Sequence, residues 1–81
     1  MDITVKFFAA AAAAAGTDST VVTVPAGASI ADVISQATSG NEQLSKLADF
    51  CAVLGPEGFI RDRSVEAKVT QLELLPPFAG G

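Results

Sequence analysis

The residues best suited to chemistry in this sequence stand at its end, in Leu72-Glu73-Leu74-Leu75-Pro76-Pro77-Phe78-Ala79-Gly80-Gly81. Two glycines without side chains can thread a channel too narrow for other residues. The carboxylate that follows them is ionised at neutral pH. A carboxylate is a poor acyl donor, but as a nucleophile toward the α-phosphorus of ATP it would give a mixed anhydride, activated for transfer. Gly81 is therefore the candidate reacting group, with Gly80 and Ala79 as the thread behind it. Pro76 and Pro77 donate no backbone hydrogen bond and favour extended backbone, so they end a strand and launch the tail in a fixed direction. Fully extended, residues 78–81 reach about 13 to 14 Å, roughly the radius of a domain of this size. Phe78 is the one large apolar group on the tail, and Leu75 lies on the face away from the expected core. Both are candidates for docking on a partner, beside the two prolines.

Little else is equipped to react. Histidine is absent, which removes imidazole base chemistry and the common zinc sets. Cys51 is the only cysteine, so there is neither an internal disulfide nor a cysteine-rich metal site. Within an apolar, strand-like run it reads as a small core hydrophobe, not a redox or sulfur-transfer group. Leu54 and Phe59 are further candidates for the patch near the tail. Arg61 and Arg63 read either as donors to acidic groups of a partner or as solvated loop residues.

Eighty-one residues make one domain. A chain this short buries only roughly 60 to 65% of the surface its unfolded form exposes, which leaves no room for a deep, walled cavity. An apolar content of 49% argues against disorder. Nine acidic and five basic side chains give a formal charge of −4, which disfavours nucleic acid and suits either a basic or mixed protein surface or, the like charges being scattered, simple solubility. The run Phe7 to Ala15 is too short and too alanine-rich to span a membrane, and a cytoplasmic protein is expected.

The elements that would position the tail follow from periodicity. Ile3 to Phe8 alternates as a strand with Ile3, Val5 and Phe7 toward the core. Ala9 to Ala15 suits a short helix closed by Gly16. Thr20 to Val24 is a second strand, antiparallel to the first across the turn Gly16 to Ser19. Ser29 and Asp32 form a capping box ahead of the stripe Ile30, Val33, Ile34 and Ala37, with Gly40 placed to end this main helix. Asn41 to Asp49 reads as a link or helical turn anchored by Leu44 and Leu47. Phe50 to Leu54 is a third strand, Phe59 to Arg61 a brief fourth, and Thr70 to Leu75 a fifth with Leu72 and Leu74 on one face. Val65 to Val69 carries little periodic signal. One helix on a four- or five-stranded sheet is a two-layer α+β solution for this length.

Three runs resemble one family: Val5-Lys6-Phe7-Phe8-Ala9, Val24-Pro25-Ala26-Gly27-Ala28-Ser29, and above all Leu74-Leu75-Pro76-Pro77-Phe78-Ala79-Gly80-Gly81. They are similar to the small, sulfur-carrying subunit of molybdopterin synthase, within the ubiquitin-like β-grasp sulfur carriers, and the similarity spans essentially the whole chain. It departs in two places: alanines replace a charged helix after the first strand, and Ala67-Lys68-Val69-Thr70 replaces an acidic, glycine-containing turn. The resemblance implies a mixed β-grasp sheet over residues 1–77 and a reactive tail over residues 78–81. It implies no tightly bound cofactor and no metal. ATP and magnesium would serve a ubiquitin-activating-like adenylyltransferase, and a persulfide donor would convert Gly81 to a thiocarboxylate (1-thioglycine). The large catalytic subunit would be the acceptor partner, in an assembly with two copies of each subunit, and cyclic pyranopterin monophosphate would receive the sulfur. Neither nucleic acid nor membrane is implied. The same reading leaves open a carrier for thiamine or another pathway, a protein modifier, and a β-grasp binding module that carries nothing.

Overall fold

The computed structural model describes residues 1–77. The expectations for Phe78, Ala79, Gly80 and Gly81 lie outside the described residues. The elements run β1 (Asp2–Phe7), α1 (Ala10–Ala15), β2 (Ser19–Thr23), α2 (Ile30–Ala37), α3 (Glu42–Ala48), β3 (Ala52–Gly55), β4 (Gly58–Ile60) and β5 (Gln71–Leu75). The strands form one mixed sheet in the order β2-β1-β5-β3-β4. β1 is antiparallel to β2 and parallel to β5, while β3 is antiparallel to both β5 and β4.

Alternation in β1 buries Ile3, Val5 and Phe7, as the side-chain period of a strand requires. Leu72 and Leu74 of β5 and Val53 of β3 share that inner face and pack with Ile30 and Val33 of α2, Leu44 of α3 and Ala11 of α1. Helices therefore cover one face of the sheet, and the other face stays open. α2 starts as the capping box demands: Asp32 N–H donates to Ser29 Oγ at 3.0 Å, and Ser29 N–H donates to Asp32 Oδ2 at 3.0 Å. Two more of its free N–H groups are met by the segment before β5, Ile30 N–H donating to Val65 O at 2.9 Å and Ala31 N–H to Arg63 O at 2.8 Å. That segment, silent in the sequence, acts through its backbone.

Several boundaries depart from expectation, β1 and β2 each lying one residue earlier (Asp2–Phe7 and Ser19–Thr23) and β5 beginning at Gln71. α2 ends at Thr38, not Gly40, because the Thr38 hydroxyl donates to Ile34 O at 2.9 Å and stays buried there. Asn41 to Asp49 contains a complete helix, α3, so the main helix is one of three among the described residues. Asn41 makes it possible: its side chain accepts from Leu44 N–H at 3.0 Å and donates to Ala14 O at 2.9 Å, capping α3 and tying it to α1. The third strand starts at Ala52 instead of Phe50, since the N–H groups of Phe50 and Cys51 are spent on Leu47 O and Ala48 O at the end of α3. β4 is displaced by one residue toward Gly58, which adopts φ +121° to close the hairpin with Gly55. The alanine helix forms as expected, closed by Gly16 in the left-handed region, but Ala9 before it is held at φ +51°.

Candidate functional site: the rim where the last strand ends

β5 lies between β1 and β3, so the strand that leads to the tail is braced on both sides. Its inner residues Leu72 and Leu74 are fully buried, which fixes its register against slippage. Gln71, Glu73 and Leu75 point to the open face and are half-buried by their neighbours. Leu75 closes the ladder opposite Ala52; Pro76 is half-buried behind it and Pro77 is exposed. With no N–H on either proline, pairing cannot continue.

The other interface residues expected from sequence share that face. Leu54 pairs with Glu73 on one side and with Phe59 on the other, making a row across three strands. Leu54 is half-buried and Phe59 is 64% exposed. One more step in the same register sets Arg61, also exposed, level with Ala52 and Leu75. Leu75, Leu54, Phe59 and Arg61 are thus brought together on the open face. Between the apolar residues, Lys6 of β1 stands opposite Glu73, and the pair does not close an ion pair among the described residues.

Two phenylalanines belong to this rim that the sequence reading did not single out. Phe7 pairs with Leu74, so Phe8 falls level with Leu75 on the open side, where it is 39% exposed. Phe50, two residues ahead of Ala52, is 73% exposed at the α3–β3 turn. For Phe8 the signal was present, because alternation past Phe7 turns its ring outward, whereas Phe50 lies in the turn after α3, where no strand period applies.

Arg63 does not face a partner. Its guanidinium bridges the end of α3, with Nη1 donating to Ala48 O at 2.9 Å and Nη2 to Cys51 O at 2.6 Å. It holds the turn that carries Phe50 to the rim. Cys51 is buried as expected; burial pushes its thiol pKa up, partly opposed by the nearby Arg63 charge. Both the burial and the raised pKa favour the thiol over the thiolate, the form that would attack.

Two shallow hollows open beside the far side of the open-face patch, one of about 440 Å³ lined by Gly55, Pro56, Glu57, Phe59, Lys68 and Val69, the other of about 390 Å³ lined by Leu54, Gly55, Pro56, Thr70, Gln71 and Glu73. Among the described residues no cluster of three or more His, Cys, Asp or Glu side chains could hold a metal ion. No helix among them is long and apolar enough to cross a membrane.

No protein-family model and no curated protein matches the chain. Solved structures do. SAMP1 from Haloferax volcanii is 25% identical, with a TM-score of 0.81 and full coverage of both chains. A second structure, of H. volcanii small archaeal modifier protein 1, is 24% identical over 95% of this chain and 98% of that one, with a TM-score of 0.78. A Pyrococcus furiosus protein assigned as molybdopterin converting factor, subunit 1, is 21% identical over 96% of this chain and 99% of that one, with a TM-score of 0.80. The chain therefore has the ubiquitin-like β-grasp fold, in a form shared with a small archaeal modifier and with a molybdopterin converting factor subunit.

Proposed function

We propose that this chain is a sulfur carrier, the small subunit of a molybdopterin synthase, with Gly81 as the carrying residue. One observation bears most of the weight: in a β-grasp fold, the braced central strand β5 runs through Pro76-Pro77 into Phe78-Ala79-Gly80-Gly81, beside an open apolar rim. In the proposed cycle the Gly81 carboxylate attacks the α-phosphorus of ATP, held with magnesium on an adenylyltransferase, and pyrophosphate leaves. The outer sulfur of a persulfide donor then attacks the acyl carbon and displaces AMP. A thiol cleaves the resulting acyl disulfide and leaves a thiocarboxylate. In the large subunit, which supplies the pocket, the thiocarboxylate gives its sulfur to cyclic pyranopterin monophosphate. Each dithiolene needs two sulfurs and so two loaded carriers.

Leu75, Pro76, Pro77, Phe78 and the ring of Phe8 form the docking patch in this reading, with Leu54, Phe59 and Arg61 at its far side. Gly80 and Ala79 thread the partner's channel. The test is intact mass after incubation with a competent adenylyltransferase, ATP and a persulfide donor. Replacement of one Gly81 oxygen by sulfur is expected, and transfer should vanish when Gly81 is deleted or one residue is appended. An unchanged mass beside a positive control carrier would refute it. The reading also requires Gly81 to be the carboxy terminus in the cell, which intact mass of the native protein checks.

The full-length match to SAMP1 favours one second reading, a protein modifier joined through Gly81 to a lysine of its target. Lys68 is the last basic residue, so trypsin would leave Val69 to Gly81 as the remnant on a modified lysine. Finding that remnant in the native proteome supports the modifier. Sulfur transfer to the pterin precursor supports the synthase subunit.

A further inference from the structure

The sheet has two open edges, β4 and β2. β4 is three residues long, whereas β2 offers Ser19-Thr20-Val21-Val22-Thr23, with no charge and no proline among them. Those are the devices that normally blunt an edge. Hydrogen-bonded and non-bonded pairs alternate along an antiparallel ladder. Val24 N–H donates to Met1 O at 2.9 Å and Phe7 N–H donates to Asp18 O at 2.8 Å. This parity turns the backbone groups of Thr20 and Val22 toward β1, and those of Ser19, Val21 and Thr23 outward.

We propose that β2 is a self-recognition edge that pairs antiparallel with β2 of a second copy of this chain. The register follows from the free groups. With Val21 opposite Val21 on the two-fold axis, Ser19 of each copy faces Thr23 of the other. All of these residues are outward-bonding, so each of the three pairs can exchange two hydrogen bonds. A one-residue slip sets outward groups against inward ones, and a two-residue slip leaves only two such pairs within β2. The charges agree with the same register. Lys6 lies beside Ser19 and Asp2 beside Thr23 on β1, so each row runs from Lys6 of one copy to Asp2 of the other. Val21, 61% exposed, would be covered by its mate.

Two side chains temper the contact. Gln36 Nε2 donates to Thr23 O at 2.9 Å, and Thr17 Oγ1 donates to Ser19 O at 3.3 Å. Each uses one lone pair of an end carbonyl, leaves the second lone pair free and leaves Val21 untouched. A five-residue edge gives about 17 Å of contact, below what a standard stable interface needs. The association is therefore weak and concentration-dependent. β1 separates β2 from β5, so pairing leaves the rim at Leu75 uncovered, and the inference does not depend on what the tail carries.

Sedimentation equilibrium from micromolar to millimolar protein, with amide spectra over the same series, tests this without any activating enzyme. A monomer–dimer equilibrium is expected, with concentration-dependent shifts at the Ser19, Val21 and Thr23 amides. Val21→Lys sets two like charges opposite each other on the axis. It should stay monomeric throughout with an unchanged circular dichroism spectrum, because that side chain is exposed. A parent chain monomeric at millimolar concentration, association that survives Val21→Lys, or shifts confined to other surfaces would each overturn the proposal.

Discussion

Removing Arg63 should be among the most damaging changes available outside the apolar core. Its two bonds to Ala48 O and Cys51 O, at 2.9 and 2.6 Å, close the end of α3 and fix the turn into β3. A charge-assisted hydrogen bond contributes about 1.5 to 3 kcal/mol net. Ala48 O keeps a second donor, Cys51 N–H at 3.2 Å, so only the bond to Cys51 O is lost without replacement. A cation at a helix C-terminus adds about 0.3 to 1 kcal/mol. The half-exposed position of Arg63 favours the lower part of these ranges, and Arg63→Ala should cost about 2 kcal/mol. In urea that is a midpoint shift of about 1 to 2 M for a domain of this size, and in a thermal melt a fall of roughly 8 to 16 °C. Arg63→Lys keeps the charge but not the fork that spans two carbonyls, and should recover less than half of the loss. Amide exchange at Phe50, Cys51 and Ala52 should accelerate in both variants. A loss in Arg63→Ala below about 0.5 kcal/mol, the level of an ordinary surface substitution, would refute this account of the turn.

Ala9 sits at φ +51° and ψ −125°, a region L-residues avoid, so Ala9→Gly should raise stability by about 1 kcal/mol, read as an upward shift of the urea midpoint. Burial raises the Cys51 pKa in the folded chain, so its contribution to stability is intact below the unfolded thiol pKa and is lost as pH rises through the folded value. Melting temperature should therefore fall on the alkaline side, less so in Cys51→Ala, and alkylation of Cys51 at neutral pH should be slow until the chain unfolds. Leu75→Glu should leave the melt within about 0.5 kcal/mol of the parent. It should weaken binding to the adenylyltransferase or the large subunit by about tenfold or more, measured by titration calorimetry.

Where one face of an element is buried, its residues declared themselves in advance. Ile3, Val5 and Phe7 alternate because β1 has a core side and an open side, and the same rule placed Leu72, Leu74 and Leu75 correctly. The Ser29–Asp32 box was legible because capping is a contact between residues three apart. α3 was not, since seven residues with Leu44, Leu47 and Ala48 as their apolar set make a helix only when packed. Its anchor, Asn41 to Ala14 O, spans 27 positions and has no local signature. Val65 to Val69 showed little periodicity because the segment is held through its backbone, Val65 O accepting from Ile30 N–H and Ala67 N–H donating to Ala28 O. Arg63 was misread for a related reason: nothing near it in sequence announces the two carbonyls it bridges. Leu75 on the open face followed from alternation, and Phe8 would have followed had the same rule been carried past the end of β1, whereas the faces of Leu54 and Phe59 were fixed only by the β3–β4 register.

How a tail is anchored decides how well its tip can be placed. A four-residue segment hung from an edge strand would inherit that strand's fraying, whereas β5 is held by ladders on both sides and by two fully buried leucines. Pro76 and Pro77 then end the ladder at a defined residue, Leu75, and restrict the directions the chain can take beyond it. Half-buried Leu75 and exposed Phe8 lie level with each other where the ladder ends, Lys6 and Glu73 occupy the middle of the open face, and Phe59 and Val21 are exposed farther out. In the proposed reading, a partner gripping this rim would meet aromatic and aliphatic groups beside the end of β5, where the scaffold is already ordered, which lowers the cost of binding.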